Sequence, residues 1–144
     1  VKKANGEILA FDHVLKQFAW QGVFTCDGGK SITGASSTSV SSFKSIERIS
    51  LANVTSLLKV SASQNTLFGY FKDDSNNDGI MIVNYNETSE NLTDSVELTF
   101  DSSKYNAAVC YIGGKKQVFT GLTGGKLTLN LGAGEGVFVI PYAE

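Results

Sequence analysis

Residues Asp73 to Tyr85 read DDSNNDGIMIVNY. Asp74, Asn76 and Asp78 fall at the alternating spacing of the first ligands of a calcium loop, with Gly79 at its turn. Side-chain oxygens so spaced can wrap a hard cation. A closed loop of this kind also needs a bidentate carboxylate at its twelfth position, which here is Tyr85. Without it the segment reads as a hairpin: Asn77-Asp78-Gly79 tolerates positive φ, and the residues after it are rich in β-branched and aromatic types. A weak cation site made by Asp74, Asn76 and Asp78 is the alternative reading.

The other chemistry-bearing residues are sparse. His13 is the single histidine, so a zinc site lacks a second imidazole, and no Gly-x-Ser-x-Gly elbow or Cys–His pairing offers a nucleophile. Carboxylates are numerous between Asp73 and Asp101, and two of them about 5–10 Å apart would suffice to cleave a glycosidic bond. Nearly all lie in turns or at alternating polar positions, however, which predicts a solvated face. Gly132-Ala133-Gly134-Glu135-Gly136 has the glycines of a phosphate loop, but no helix follows it and no Lys-Ser/Thr closes it, so it is expected to be a hairpin. Cys26 and Cys110 are expected to be reduced, partly buried thiols, since no CxxC or Cys/His cluster accompanies them. Nothing here calls for a cofactor, and the chain reads as non-catalytic.

Aromatic side chains supply the remaining binding chemistry. Trp20, Tyr70, Tyr85, Tyr105, Tyr111 and Tyr142 could form a flat platform on which sugar rings stack, the first four being the foremost candidates, with neighbouring Asn and Asp to bond hydroxyls. Core packing competes for the same residues, because each buries a large apolar area.

These residues must be positioned by a single domain, since 144 residues suffice for one core. The composition is 42% hydrophobic and 18% charged with a net charge of −2; it offers no basic stripe for nucleic acid. No run of about 18 apolar residues exists to form a membrane-spanning helix. Fifteen glycines and one proline suit an all-β domain with frequent tight turns.

The spacing of Val1, Ala4, Ile8 and Phe11 predicts a short amphipathic helix over about 1–12, followed by a strand over about 15–25. No capping residue precedes Val1, so residues 1–14 read as the terminal helix of a longer chain. Residues 27–42 form a Ser/Gly-rich loop. Beyond residue 56 the period becomes two. Leu58, Val60 and Ala62 alternate with polar neighbours, as do Val96, Leu98 and Phe100, and then Leu127, Leu129 and Leu131. Between them lie five more runs, Thr66–Lys72, Gly79–Tyr85, Ala107–Ile112, Lys115–Leu122 and Gly136–Tyr142. The connections are too short for parallel crossovers, so the fold class is all-β: an antiparallel, Greek-key-like sandwich of eight strands over residues 15–144, with a short N-terminal helix.

In order, the segments AFDHVLKQFAWQGVF, TLFGYFKDDSNNDGIMIVNYN, SVELTF and LTLNLGAGEGVFVIPY resemble the closing segment of TIM-barrel glycoside hydrolases, notably β-galactosidase-like enzymes of family 42 type. Similar small sandwiches close the α-amylase superfamily. The resemblance implies an accessory β domain whose partner is the catalytic barrel of the same chain, with carbohydrate as the alternative partner through exposed aromatics. Catalytic carboxylates in such enzymes sit at the ends of barrel strands, so the resemblance transfers no catalytic residue to this sequence.

Overall fold

A computed structural model of the chain describes residues 17–33, 51, 54–84, 86 and 92–144. The expected helix at 1–12, most of the Ser/Gly-rich stretch and Tyr85 lie outside the described residues. Among those described, ten strands follow one another: β1 (Phe18–Cys26), β2 (Lys30–Thr33), β3 (Leu57–Ala62), β4 (Thr66–Asp73), β5 (Asp78–Asn84), β6 (Asp94–Phe100), β7 (Ala107–Ile112), β8 (Lys115–Phe119), β9 (Lys126–Leu131) and β10 (Gly136–Tyr142). They form two antiparallel sheets, one ordered β1-β4-β5-β10-β7-β8 and one ordered β2-β3-β6-β9. The all-β sandwich is therefore as expected, and each anticipated strand is present. β2 is additional, lying within the stretch 27–42 that composition alone assigned to a loop.

Only β2–β3, β4–β5 and β7–β8 are consecutive pairs within a sheet; the other short connections cross between sheets. A gap of about 10 Å between packed sheets is spanned by three extended residues at about 3.3 Å each, and Ser63–Asn65 suffices between β3 and β4. For the same reason Gly132–Gly136 is not a hairpin. It carries the chain from β9, at one edge of the four-stranded sheet, to β10 inside the other. Pro141 near the end of β10 lies past the last pair with β5, Val139↔Ile80, where a missing amide costs little.

The core fills the space between the sheets. Phe24, Phe68, Ile80, Ile82, Val137 and Val139 from one sheet meet Ile32, Val60, Val96, Leu98, Phe100 and Leu129 from the other. Phe24 stacks on Phe68 with centroids 4.7 Å apart. The alternation in β3 is broken between Leu57 and Lys59, so Leu57 turns inward and Leu58, expected on the core face, is 52% exposed. In β1 a similar irregularity between Trp20 and Gly22 puts Phe18 and Trp20 on the same outer face as Val23 and Thr25.

Glycine is required in two places, the β7–β8 turn and the start of β5. Gly113 and Gly114, at φ 58° and 78°, make the two-residue turn between Ile112 and Lys115 that this geometry requires. Gly79 sits in extended β5, and its role is space: a Cβ there would lie 2.4 Å from Phe138 Cζ.

Candidate functional site

The hairpin from β4 to β5 is built as expected, but its left-handed residue is Asn76, at φ 67°, while Asp78 and Gly79 already belong to β5. The Asp73 carboxylate organises the turn. Its Oδ1 accepts the amides of Ser75 at 2.9 Å and Asn77 at 2.8 Å, and its Oδ2 accepts the Asn77 side-chain amide at 3.0 Å. Slight desolvation acts to raise the Asp73 pKa, but these donors outweigh it and hold the group below the usual aspartate value.

Asp74, Asn76 and Asp78 do not converge. Asp74 is exposed. The Asn76 Oδ1 accepts Lys72 Nζ at 2.9 Å, and the same ammonium lies 3.4 Å from Asp78 Oδ1. A lysine occupies the place a cation would take between those two oxygens. Asp78 itself is 3% exposed and points inward, where it accepts the Tyr70 hydroxyl at 2.8 Å, the Ser56 amide at 3.3 Å and the Ser56 hydroxyl.

Asp94 is a second buried carboxylate, 0% exposed. It accepts the Gln64 amide at 3.1 Å and the Thr66 hydroxyl, so it joins β6 of one sheet to β4 of the other. Buried Asn84 does the same with its amide, which donates to the carbonyls of Leu92 at 2.9 Å and Leu131 at 3.1 Å. The expectation of solvated acids fails at Asp78 and Asp94, and the signal was available. Asp78 shares the parity of Ile80, Ile82 and Asn84, and Asp94 that of Val96, Leu98 and Phe100, so both stand on core faces.

The aromatic candidates are likewise dispersed. Trp20 stands on the outer face of β1, paired with Phe71 and 47% exposed. Tyr70 is 3% exposed in the core with its hydroxyl on Asp78, and burial, then that bond and the aspartate charge, raise its pKa. Tyr105 is half-buried against the core and lines a hollow of about 110 Å³ with Ser102 and Asn106. Burial, then the charges of Asp78 and Asp101, raise its pKa too. No common face joins these three rings.

Cys26 and Cys110 are buried free thiols. Burial, then the Asp27 and Asp94 charges, push Cys26 up to about 11, and its Sγ donates to the Lys30 carbonyl at 3.3 Å. Burial alone pushes Cys110 up to about 12.

The feature that sequence reasoning missed is the difference between the two outer faces. On the four-stranded sheet the residues turned away from the core are Ser31, Ser61, Ser95, Glu97, Thr99 and Thr128, with Lys59, Lys126 and Asn130 beside them. On the four central strands of the six-stranded sheet they are Leu67, Gly69 and Phe71 of β4, Gly79, Met81 and Val83 of β5, Gly136, Phe138 and Ile140 of β10, and Val109 and Tyr111 of β7, with Thr25 of β1 and Lys116 of β8 at the flanks. Phe138 is fully buried there, with the rings of Phe18 and Phe71 edge-on at 5.2 Å and 5.8 Å. Toward the Gly113–Gly114 turn this face opens into a groove of about 250 Å³ lined by Met81, Val83, Tyr111 and glycine backbone. Such a face can bury apolar surface against a partner; the polar one cannot.

Compared with known proteins, the chain matches no protein-family model, no curated protein and no solved structure.

Proposed function

We propose that this chain is a non-catalytic accessory β domain that docks on the catalytic barrel of a larger glycoside-hydrolase-like protein through the outer face of its six-stranded sheet. The observation that carries the reading is the asymmetry of the two faces. A sandwich standing alone in water gains from polar residues on both outer faces, and here the four-stranded sheet has them throughout while the four central strands of the six-stranded sheet have, away from their ends, none apart from the Tyr111 hydroxyl. Four adjacent strands with apolar residues on both sides are the pattern of a sheet covered twice. The resemblance of the segments between Gly69 and Pro141 to the closing domains of glycoside hydrolases supplies the identity of the covering partner. The coding sequence upstream of Val1 tests it: a strand–helix repeat with two glutamates at strand ends supports the proposal, and an unrelated domain or repeat refutes it.

A second reading, a carbohydrate-binding module, is supported by one observation, the exposed Trp20 ring beside Phe71 at the sheet edge. Trp20 is the single tryptophan, so its fluorescence reports binding directly. A saturable change with an oligosaccharide panel favours the module; a flat response removes it.

A further inference from the structure

Three residues on the outer face of the six-stranded sheet are more buried than the strands beside them explain. Phe138 is fully buried, although the rings of Phe18 and Phe71 stand edge-on at 5.2 Å and 5.8 Å and close only its flanks. Val23 and Thr25 are 7% and 3% exposed on β1, an edge strand with a neighbour on one side alone. Their partners across that pairing, Gly69 and Leu67, lie level with them and cannot roof them. The second sheet packs beneath, on the side of Phe24 and Phe68. Among the described residues, no strand lies over this face.

Two long stretches of the chain are outside the described residues, 1–16 and 34–50. The second leaves β2, at the edge of the four-stranded sheet, and returns at Leu51 and Val54 in the core between the sheets. The first ends beside Phe18, whose ring already lies on the outer face against Phe138. Phe138 stands on β10, three strand spacings or about 14 Å in from β1, so its cover must cross the sheet rather than border its edge. Read as a helix, residues 1–11 are about 16 Å long, which spans that distance. Val1, Ala4, Ile8 and Phe11 line one side of such a helix and Lys2 and Lys3 fall on the other, so one side suits the apolar face and the other suits water.

We infer that residues 1–16 of this same chain fold back across β1, β4, β5 and β10 with that stripe inward and the Phe11 ring seated on Phe138. Phe11 is the one aromatic residue of the stripe and the member closest in sequence to Phe18, which holds it nearest the existing ring pair. A further ring there adds an edge-on or offset contact to the cluster. The placement is independent of the docking reading. It leaves Leu67, Met81, Val83, Val109 and Ile140 half-buried as they stand, open to a further partner.

Nuclear Overhauser contacts in the unaltered 144-residue chain, with isotope-labelled Phe and Ile, test this directly. The expected result is ring-to-ring cross-peaks between Phe11 and Phe138, and cross-peaks from the Ile8 methyls to the same aromatic cluster. Phe11→Ala should lower Tm by about 6 °C, whereas Lys3→Ala should leave it within about 2 °C. The cross-peaks belong to the unaltered chain, so they decide the matter even where a variant unfolds. Cross-peaks from Phe138 to residues 34–50 instead, no contact between residues 1–16 and the outer face, or an unchanged Tm in Phe11→Ala overturns the placement. Phe11 contacts without further shielding of the face in a longer protein would remove the docking reading alone, and the reverse pair of results would remove this placement alone.

Discussion

Replacing Tyr70 by Phe removes one hydroxyl from the core and leaves the ring in place. That hydroxyl donates to Asp78 Oδ1 at 2.8 Å, and the acceptor residue is 3% exposed, so water cannot take over the bond. A hydrogen bond to a charged group contributes about 1.5–3 kcal/mol. The Lys72 ammonium, 3.4 Å from the same oxygen with its side chain 27% exposed, stays behind and offsets part of the loss. The expected cost of Tyr70→Phe is therefore about 2 kcal/mol, or about 6 °C in Tm at about 3 °C per kcal/mol for a chain of this length. Urea unfolding followed by circular dichroism measures it, provided the slope is unchanged and only the midpoint moves. Asp78→Asn and the double variant complete the cycle. The two residues share one bond, so the double variant should fall short of the summed single costs by about 1 kcal/mol. A Tyr70→Phe cost below about 0.5 kcal/mol, or strictly additive costs, would refute Asp78 as the hub that ties Tyr70 to Ser56.

Three further outcomes follow from the same geometry. Gly79→Ala should destabilise the fold by about 1–3 kcal/mol in urea unfolding, because its methyl meets Phe138 at 2.4 Å and Phe18 at 3.0 Å; an unchanged midpoint would mean that the outer aromatic cluster is loose. Cys26 and Cys110, raised from 9.0 to about 11 and about 12, contribute stability that is fully present below about pH 9 and is lost as pH rises through the folded values; both should resist alkylation at pH 9 until the chain is unfolded, and rapid labelling of the native chain would count against their burial. Asp73, held below 3.8 by its turn donors, contributes stability that is present above the unfolded value and lost as pH falls through the folded one; its carboxyl resonance should titrate below 3.8, and a midpoint at or above that value would dissolve the turn assignment.

Much of this fold was legible in the sequence, including more than a strand count. The cleanly alternating runs around Val60, Leu98 and Leu129 all belong to the four-stranded sheet. The continuous apolar runs GIMIV, AAVCYI and GVFVIP all belong to the six-stranded one, where these three strands are apolar on both sides. Period and continuity thus separate these six strands by sheet once the structure is known, a division the sequence reading did not draw, and neither gives the order within a sheet, which depends on long-range pairing such as β10 between β5 and β7. Gly79 looked like a turn residue because glycine serves two purposes, positive φ and close approach, and only the position of Phe138 tells them apart. Leu58 was misplaced because one irregular residue inverts the parity of a strand. The groove at Tyr111 was illegible, since it depends on glycines contributed by the β7–β8 turn, the β9–β10 crossover and the start of β10.

The central claim is that the outer face of the six-stranded sheet is an interface. Methyl relaxation by a water-soluble paramagnetic reagent tests it at Leu67, Met81, Val83, Val109 and Ile140, with Thr99 and Thr128 of the opposite face as internal standards. In the protein that includes the residues encoded upstream of Val1, the first group should lose most of the enhancement seen in the 144-residue chain, while the two threonines keep theirs. Equal enhancement of both groups in the longer and the shorter protein would contradict the account.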